Sequence, residues 1–269
     1  MPPSKIARNT RPRNRSYQNM GTSSPIINPL VQRHQSSALD VHLLGCVDFE
    51  SALFLQQRLV YEVRGRSDRY GGLLICEHPP LITVGREGSH GHMHITEHDL
   101  RSRQLAVKWL NRGGGCLTHA PGQLAIYPIL PLDRLGMGLG RYRETLELSV
   151  QACCDQLHVP TSRRPDVSGV WCRNGKFAHI GSAVKWWVSY HGLFIDVCTA
   201  PEFLDLVQTD SLDSRSVSLA SLQSRVLPMH AIREGLVHHL AQQLGYADVH
   251  LHTGHPLLRR TRQTVHVGV

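Results

Sequence analysis

Asn174-Gly175 is the feature that most constrains this chain. The pair lies between two β-like runs, residues 167–172 and 176–184. Asn-Gly is the strongest short-range hairpin signal because a two-residue turn needs positive φ at both central positions. A third β-like run follows over residues 188–197, so the second half of the chain is committed to sheet. Upstream, residues 41–46, 73–78, 81–85, 105–110 and 124–130 also read as strands, the second stopped by Pro79-Pro80. Helical spacing of apolar residues predicts helices over 48–63, capped by Asp48, over 141–158, and over 228–245, ending at Gly245. Strands in the middle with helices around them predict an α+β fold: a single domain with a mixed or antiparallel sheet flanked by helices.

The formal net charge of +8 belongs mainly to one end. Residues 1–39 carry Lys5, Arg8, Arg11, Arg13, Arg15 and Arg33 and no acid; without those six, 23 basic residues face 21 acidic ones. This Ser-, Asn-, Pro- and Arg-rich stretch reads as a disordered basic tail. Residues 40–250 read as the folded domain and 251–269 as a loose basic tail with Arg259, Arg260 and Arg262. The basic residues are not interleaved with aromatics, so nucleic-acid binding is not expected. No apolar run approaches the ~20 residues needed to span a bilayer, and none marks a secretory signal. Seven scattered cysteines, two of them adjacent, read as reduced thiols in a cytoplasmic setting. His90, His92 and His94 would share one face on a strand, but no carboxylate or Cys of suitable spacing joins them, so no metal is expected.

Arg112-Gly113-Gly114-Gly115 lies between two strands. Such a loop can present amides to a carbonyl, carboxylate or phosphate, and equally can be a plain Gly-rich hairpin. It is not a phosphate-binding P-loop, because no Gly-Lys-Ser/Thr follows. His119-Ala120-Pro121-Gly122-Gln123 comes soon after; Glu77-His78-Pro79-Pro80 and Gly85-Arg86 precede it; Gly175-Lys176-Phe177-Ala178-His179-Ile180-Gly181 and His191-Gly192-Leu193 follow.

In that order, over roughly residues 41–245, these motifs resemble the octanoyltransferases of lipoate synthesis. The family pattern is Glu-His-Pro-Pro with Gly-Arg, Arg-Gly-Gly with Thr-Tyr-His-Gly-Pro-Gly-Gln, Lys-Ile-Ala-Ala-Ile-Gly, His-Gly-Leu-Ala and Pro-Cys-Gly. The resemblance implies the fold of lipoate and biotin protein ligases. It also implies transfer of an octanoyl group from octanoyl-acyl carrier protein to a lysine of lipoyl domains in 2-oxoacid dehydrogenases and the glycine cleavage H protein. By the same resemblance the enzyme is a monomer without cofactor. The substrate site would comprise Arg112, Gly113, Gly114, Gly115, Cys116, Leu117, Thr118, His119, His179, Ile180, Gly181, Gly192, Leu193 and Phe194. Phe194 stands where the family has Ala, and His179 stands where it has the second Ala of its Lys motif.

The family's reacting pair is a Lys and a Cys. Lys176 matches the Lys, as acid and base. The Cys position falls on Thr209, or on Asp210 without a one-residue gap, and Ser216-Val217-Ser218-Leu219 anchors the far side. Three routes stay open. Thr209 could be the nucleophile with Lys176 as its base, although an alcohol is far less acidic than a thiol. Cys172, Cys116 or Cys198 could substitute; Cys172 would share the face of Lys176 if the hairpin turn had three residues. Or the protein could bind acyl groups or lipoyl domains without turnover, or pass an activated acyl group directly to an amine, as the adenylate-forming ligases do.

Overall fold

A computed structural model describes residues 37–222 and 227–258. The chain runs β1 (Ala38–Cys46), α1 (Phe49–Gly65), β2 (Gly71–Glu77), β3 (Leu81–Val84), α2 (Glu97–Ser102), β4 (Ala106–Trp109), β5 (Cys116–His119), β6 (Gln123–Ile129), α3 (Leu139–Gln156), β7 (Val170–Cys172), β8 (Gly175–Lys185), β9 (Val188–Asp196), α4 (Pro201–Leu204), α5 (Met229–Leu244) and β10 (Asp248–Thr253). Seven strands form a mixed sheet in the order β10-β1-β2-β6-β9-β8-β7, and β4-β3-β5 form a smaller one. No described helix is long and apolar enough to cross a membrane.

The period-2 alternation of strands assigns each residue of the large sheet to one of two cores. Leu73, Ile75, Leu124, Ile126, Leu193 and Ile195 face α3 and α5. Leu74, Cys76, Ala125, Tyr127, Ile129 and Phe194 face α1. Helices on both faces explain why β2 and β6 read as continuous apolar runs rather than alternating ones. The caps follow the sequence: Asp48 Oδ2 accepts the Ser51 amide at 2.9 Å, and Gly245 closes α5 at φ 73°.

Three expectations need correction. Ala38 and Leu39, assigned to the tail, begin β1, and residues 251–253, assigned to a loose end, are the second half of β10, paired in parallel with β1. Residues 1–36 and 259–269 lie outside the described residues. The β7–β8 turn is Arg173-Asn174, one residue early, with Cys172 paired to Gly175 and Trp171 to Lys176. The glycine is needed at the first strand position instead, because a Cβ there would run into the Arg215 carbonyl. His90–His92 is a short 3-10 turn, so the three histidines do not share a strand face.

Candidate active site

Lys176 is the second residue of β8 and is flanked on both sides. Its amide donates to Arg215 O at 2.8 Å, and its carbonyl accepts the Val217 amide at 2.9 Å, so residues 215–217 run alongside it. Gly169, at φ +135°, leaves room for its stem: a Cβ there would lie 2.5 Å from Lys176 Cε. The ammonium sits 5.0 Å from the Trp171 ring centroid and donates to Asp210 Oδ2 at 2.9 Å. Both partners are nearly dry, with side-chain exposures of 4% and 8%. Asp210 Oδ1 meanwhile accepts the amides of Leu212 and Ser214, each at 3.1 Å. Burial, the largest single influence, would raise the Asp210 pKa, but the bond and charge of Lys176 together with the hydrogen bonds from Ser214 outweigh it and hold the carboxyl below its usual value. Burial pulls Lys176 down against the same bond.

Residues three apart on a regular strand point to opposite faces. Lys176 and His179 nevertheless line one cavity of about 260 Å³, with Arg112, Gly114, Gly115, Leu117, Ile180, Thr209 and Asp210. A bulge is responsible: from Val170 to Trp171 the partner register on β8 jumps from Ala178 to Lys176, which inserts one extra residue.

Behind the cavity runs a directed chain of hydrogen bonds. Arg112 is fully buried and donates to Thr83 Oγ1 at 2.8 Å, Thr83 O at 3.0 Å and Gly113 O at 2.9 Å. Burial lowers its pKa to about 10, so it remains a cation at neutral pH. Thr83 Oγ1 gives its own proton to His119 Nε2 at 2.9 Å, because the ring's proton sits on Nδ1, facing the Gln123 amide oxygen. His119 Nδ1–H then donates to Gln123 Oε1 at 2.7 Å. Gln123 Nε2 donates to Thr118 O at 2.9 Å and Asp196 Oδ1 at 3.0 Å. Asp196 Oδ1 also accepts Thr199 Oγ1 at 2.8 Å, and Asp196 Oδ2 accepts His179 Nε2 at 3.1 Å. The polarity of the chain leaves the His179 proton on Nε2 and a lone pair on Nδ1, which is buried without a partner. Burial lowers the His179 pKa despite Asp196, so the ring is neutral at pH 7.

The expected site residues divide. Arg112, Gly114, Gly115, Leu117, His179, Ile180, Lys176 and Thr209 reach the cavity. Two amides of the Gly-rich loop are engaged within the protein: Gly113 N donates to Ser182 O at 2.8 Å, and Gly114 N to Glu87 Oε1 at 3.1 Å. Thr118 and His119 act behind the wall, and Gly181 packs against the Arg112 guanidinium. Gly192, Leu193 and Phe194 are core: Gly192 abuts the Ile126 carbonyl, and the Phe194 ring lies 4.9 Å from that of His119. Thr209 Oγ1 is buried with no hydrogen-bond partner, so Lys176 is held by Asp210 rather than by this hydroxyl. No cysteine lines the cavity. Cys172, paired with Gly175, donates to its carbonyl at 3.3 Å. Burial raises the thiol pKa of Cys116 and of Cys198. Asp196 was missed, although a lone Asp inside the apolar run 192–197 is a signal of a satisfied buried carboxylate.

The sequence model described as the lipoyl protein ligase A/B catalytic domain matches residues 48–241. The chain belongs to the lipoyl protein ligase A/B catalytic-domain family. Within this family it is 35% identical over 208 residues to an octanoyltransferase of Roseiflexus sp. (strain RS-1), covering 75% of this chain and 85% of that one. It is 38% identical over 156 residues to an octanoyltransferase of Geotalea uraniireducens (strain Rf4), covering 58% and 69%. The fold of a lipoate-protein ligase A crystallised with ATP superposes at a TM-score of 0.67 and 14% identity, covering 81% of this chain and 90% of that one.

Proposed function

We infer that this family member moves an octanoyl group from the phosphopantetheine thioester of acyl carrier protein to a lysine of a lipoyl domain, directly from thioester to amine. Lipoyl domains of 2-oxoacid dehydrogenases and the glycine cleavage H protein present such a lysine. The observation that carries the direct route is the His179–Asp196 pair in a cavity without a thiol. A neutral imidazole, oriented by a carboxylate and bare at its other nitrogen, is the arrangement of a general base.

In the step, the acceptor amine attacks the thioester carbonyl carbon. His179 Nδ1 takes the proton that the nitrogen loses. The oxyanion that forms is met by the cationic side of the cavity, where Lys176 has two N–H groups not used by Asp210 and Arg112 adds a second cation at the wall. The C–S bond then breaks, and the sulfur leaves with the proton held by His179. One amide and one thiol result, and the balance needs no nucleotide. Asp210 keeps Lys176 ionised in a dry site, a task that a thiolate would perform in relatives with the Lys-Cys pair.

The test uses purified protein, octanoyl-acyl carrier protein and a lipoyl domain, with the mass of the lipoyl domain followed over time. The expected result is octanoylation at equal rates with and without ATP, at least 100-fold slower in His179→Ala. Octanoylation only from free octanoate and ATP would assign the protein to the ligases instead.

A further inference from the structure

A second cluster lies at the sheet edge, on strands that take no part in the reaction. β1 and β10 pair in parallel with Asp40 opposite His250 and His42 opposite His252. Alternation puts all four side chains on one face. One ligand atom each from Asp40, His42 and His252 lies within 4.8 Å of the others.

We propose that Asp40, His42 and His252 bind a divalent transition-metal ion of the Zn²⁺ type, which clamps β10 to β1. Two imidazoles and one carboxylate suit Zn²⁺ better than the all-oxygen shells of Mg²⁺ or Ca²⁺. Metal-binding side chains need outer partners that orient them, and these are present. His42 Nδ1 lies 3.2 Å from the Gly254 carbonyl; donating there leaves the lone pair on Nε2. The Tyr70 hydroxyl donates to Asp40 Oδ2 at 3.0 Å and leaves Oδ1 toward the histidines, 3.6 Å from His252 Nε2. The His42 and His252 rings are stacked with centroids 4.8 Å apart. Tetrahedral Zn²⁺ with bonds of ~2.0–2.1 Å places donors ~3.3 Å apart. His252 is half exposed, and its ring would turn out of the stack on His42 into that position. His250, 3.0 Å from Asp40 Oδ1, stands at the rim, and a water would complete the shell.

The clamp has a mechanical reason. Every residue of β10 is exposed, so this edge strand buries no apolar side chain and rests on its ladder to β1. A bond from His252 to the buried His42 adds an anchor that the hydrophobic effect does not supply.

Untagged full-length protein would be titrated with Zn²⁺, with hydrogen exchange of the β10 amides followed in parallel. The expected result is one tight equivalent that slows β10 exchange, weakened more than 10-fold in His252→Ala, an exposed position whose loss leaves the core intact. Asp40→Asn is expected to weaken it similarly. Replacing His90, His92 and His94 together by Ala should change nothing. No saturable binding, binding equal in His252→Ala, or binding lost only in the triple variant would overturn the proposal. Binding that leaves β10 exchange unchanged would overturn the clamp.

Discussion

Asp210→Asn probes the buried pair most sharply. The substitution keeps the volume and removes the charge that answers Lys176, whose side chain is 4% exposed. Breaking a buried ion pair from one side costs about 3–5 kcal/mol, because a charge is left without a partner. An upper bound comes from Lys176 itself, which can escape by losing its proton. From an unfolded pKa of about 10.4, neutralising it at pH 7 costs about 4.6 kcal/mol at 1.36 kcal/mol per unit. The expected loss at pH 7 is therefore about 3–4.6 kcal/mol, read from urea unfolding followed by tryptophan fluorescence. The pH dependence has a definite sign. In the variant the folded-state Lys176 pKa is depressed, so the unfolded chain binds more protons and stability rises with pH. At pH 9 the bound shrinks to about 1.9 kcal/mol, and the deficit should shrink with it. The double variant Lys176→Met/Asp210→Asn, which removes both charges, should recover most of the loss. A deficit under about 1 kcal/mol, equal at pH 7 and 9, would refute the reasoning that the pair is dry and coupled.

Other outcomes follow from the same geometry. Lys176→Ala should abolish transfer in the lipoyl-domain mass assay. Thr209→Ala should retain activity within a few-fold in that assay, because no base engages its hydroxyl. Acid should unfold the protein early: burial pushes His78 down to about 4 and His191 to about 3, so stability present above an unfolded histidine pKa of ~6.5 falls by up to about 1.4 kcal/mol per pH unit for each ring as pH drops toward those values, measurable by unfolding at pH 7, 6 and 5. Trp187→Gly should stabilise the fold by about 1 kcal/mol in thermal unfolding, since Trp186 and Trp187 form the β8–β9 turn at φ 53° and 61° and the second ring is 54% exposed.

That turn also explains what sequence reading missed. The strands with apolar runs, the three long helices and their caps at Asp48 and Gly245 were legible because each follows from local periodicity or local hydrogen bonding. Lys176 and the loop from Arg112 were legible through the motif. The His179–Asp196 contact was not. His179 faces Phe194 across β8 and β9, which makes Asp196 its diagonal neighbour on the same face. Deriving this needs the register, and the register is set by Trp186-Trp187, a pair with no turn signature. The Lys176 bulge was hidden for a similar reason: it answers the chain at 215–217, far away in sequence. β10 escaped because its apolar face is only Val249 and Leu251, too short an alternation to mark a strand, and both side chains stay exposed.

In direct transfer the octanoyl group never rests on the enzyme. The most direct test of this route is the intact mass of the protein during turnover of octanoyl-acyl carrier protein with a lipoyl domain, followed by peptide mapping. Octanoylated lipoyl domain and unmodified enzyme are expected at every time point. An octanoyl adduct on Thr209 or on a cysteine, formed and consumed as fast as the lipoyl domain is modified, would contradict direct transfer.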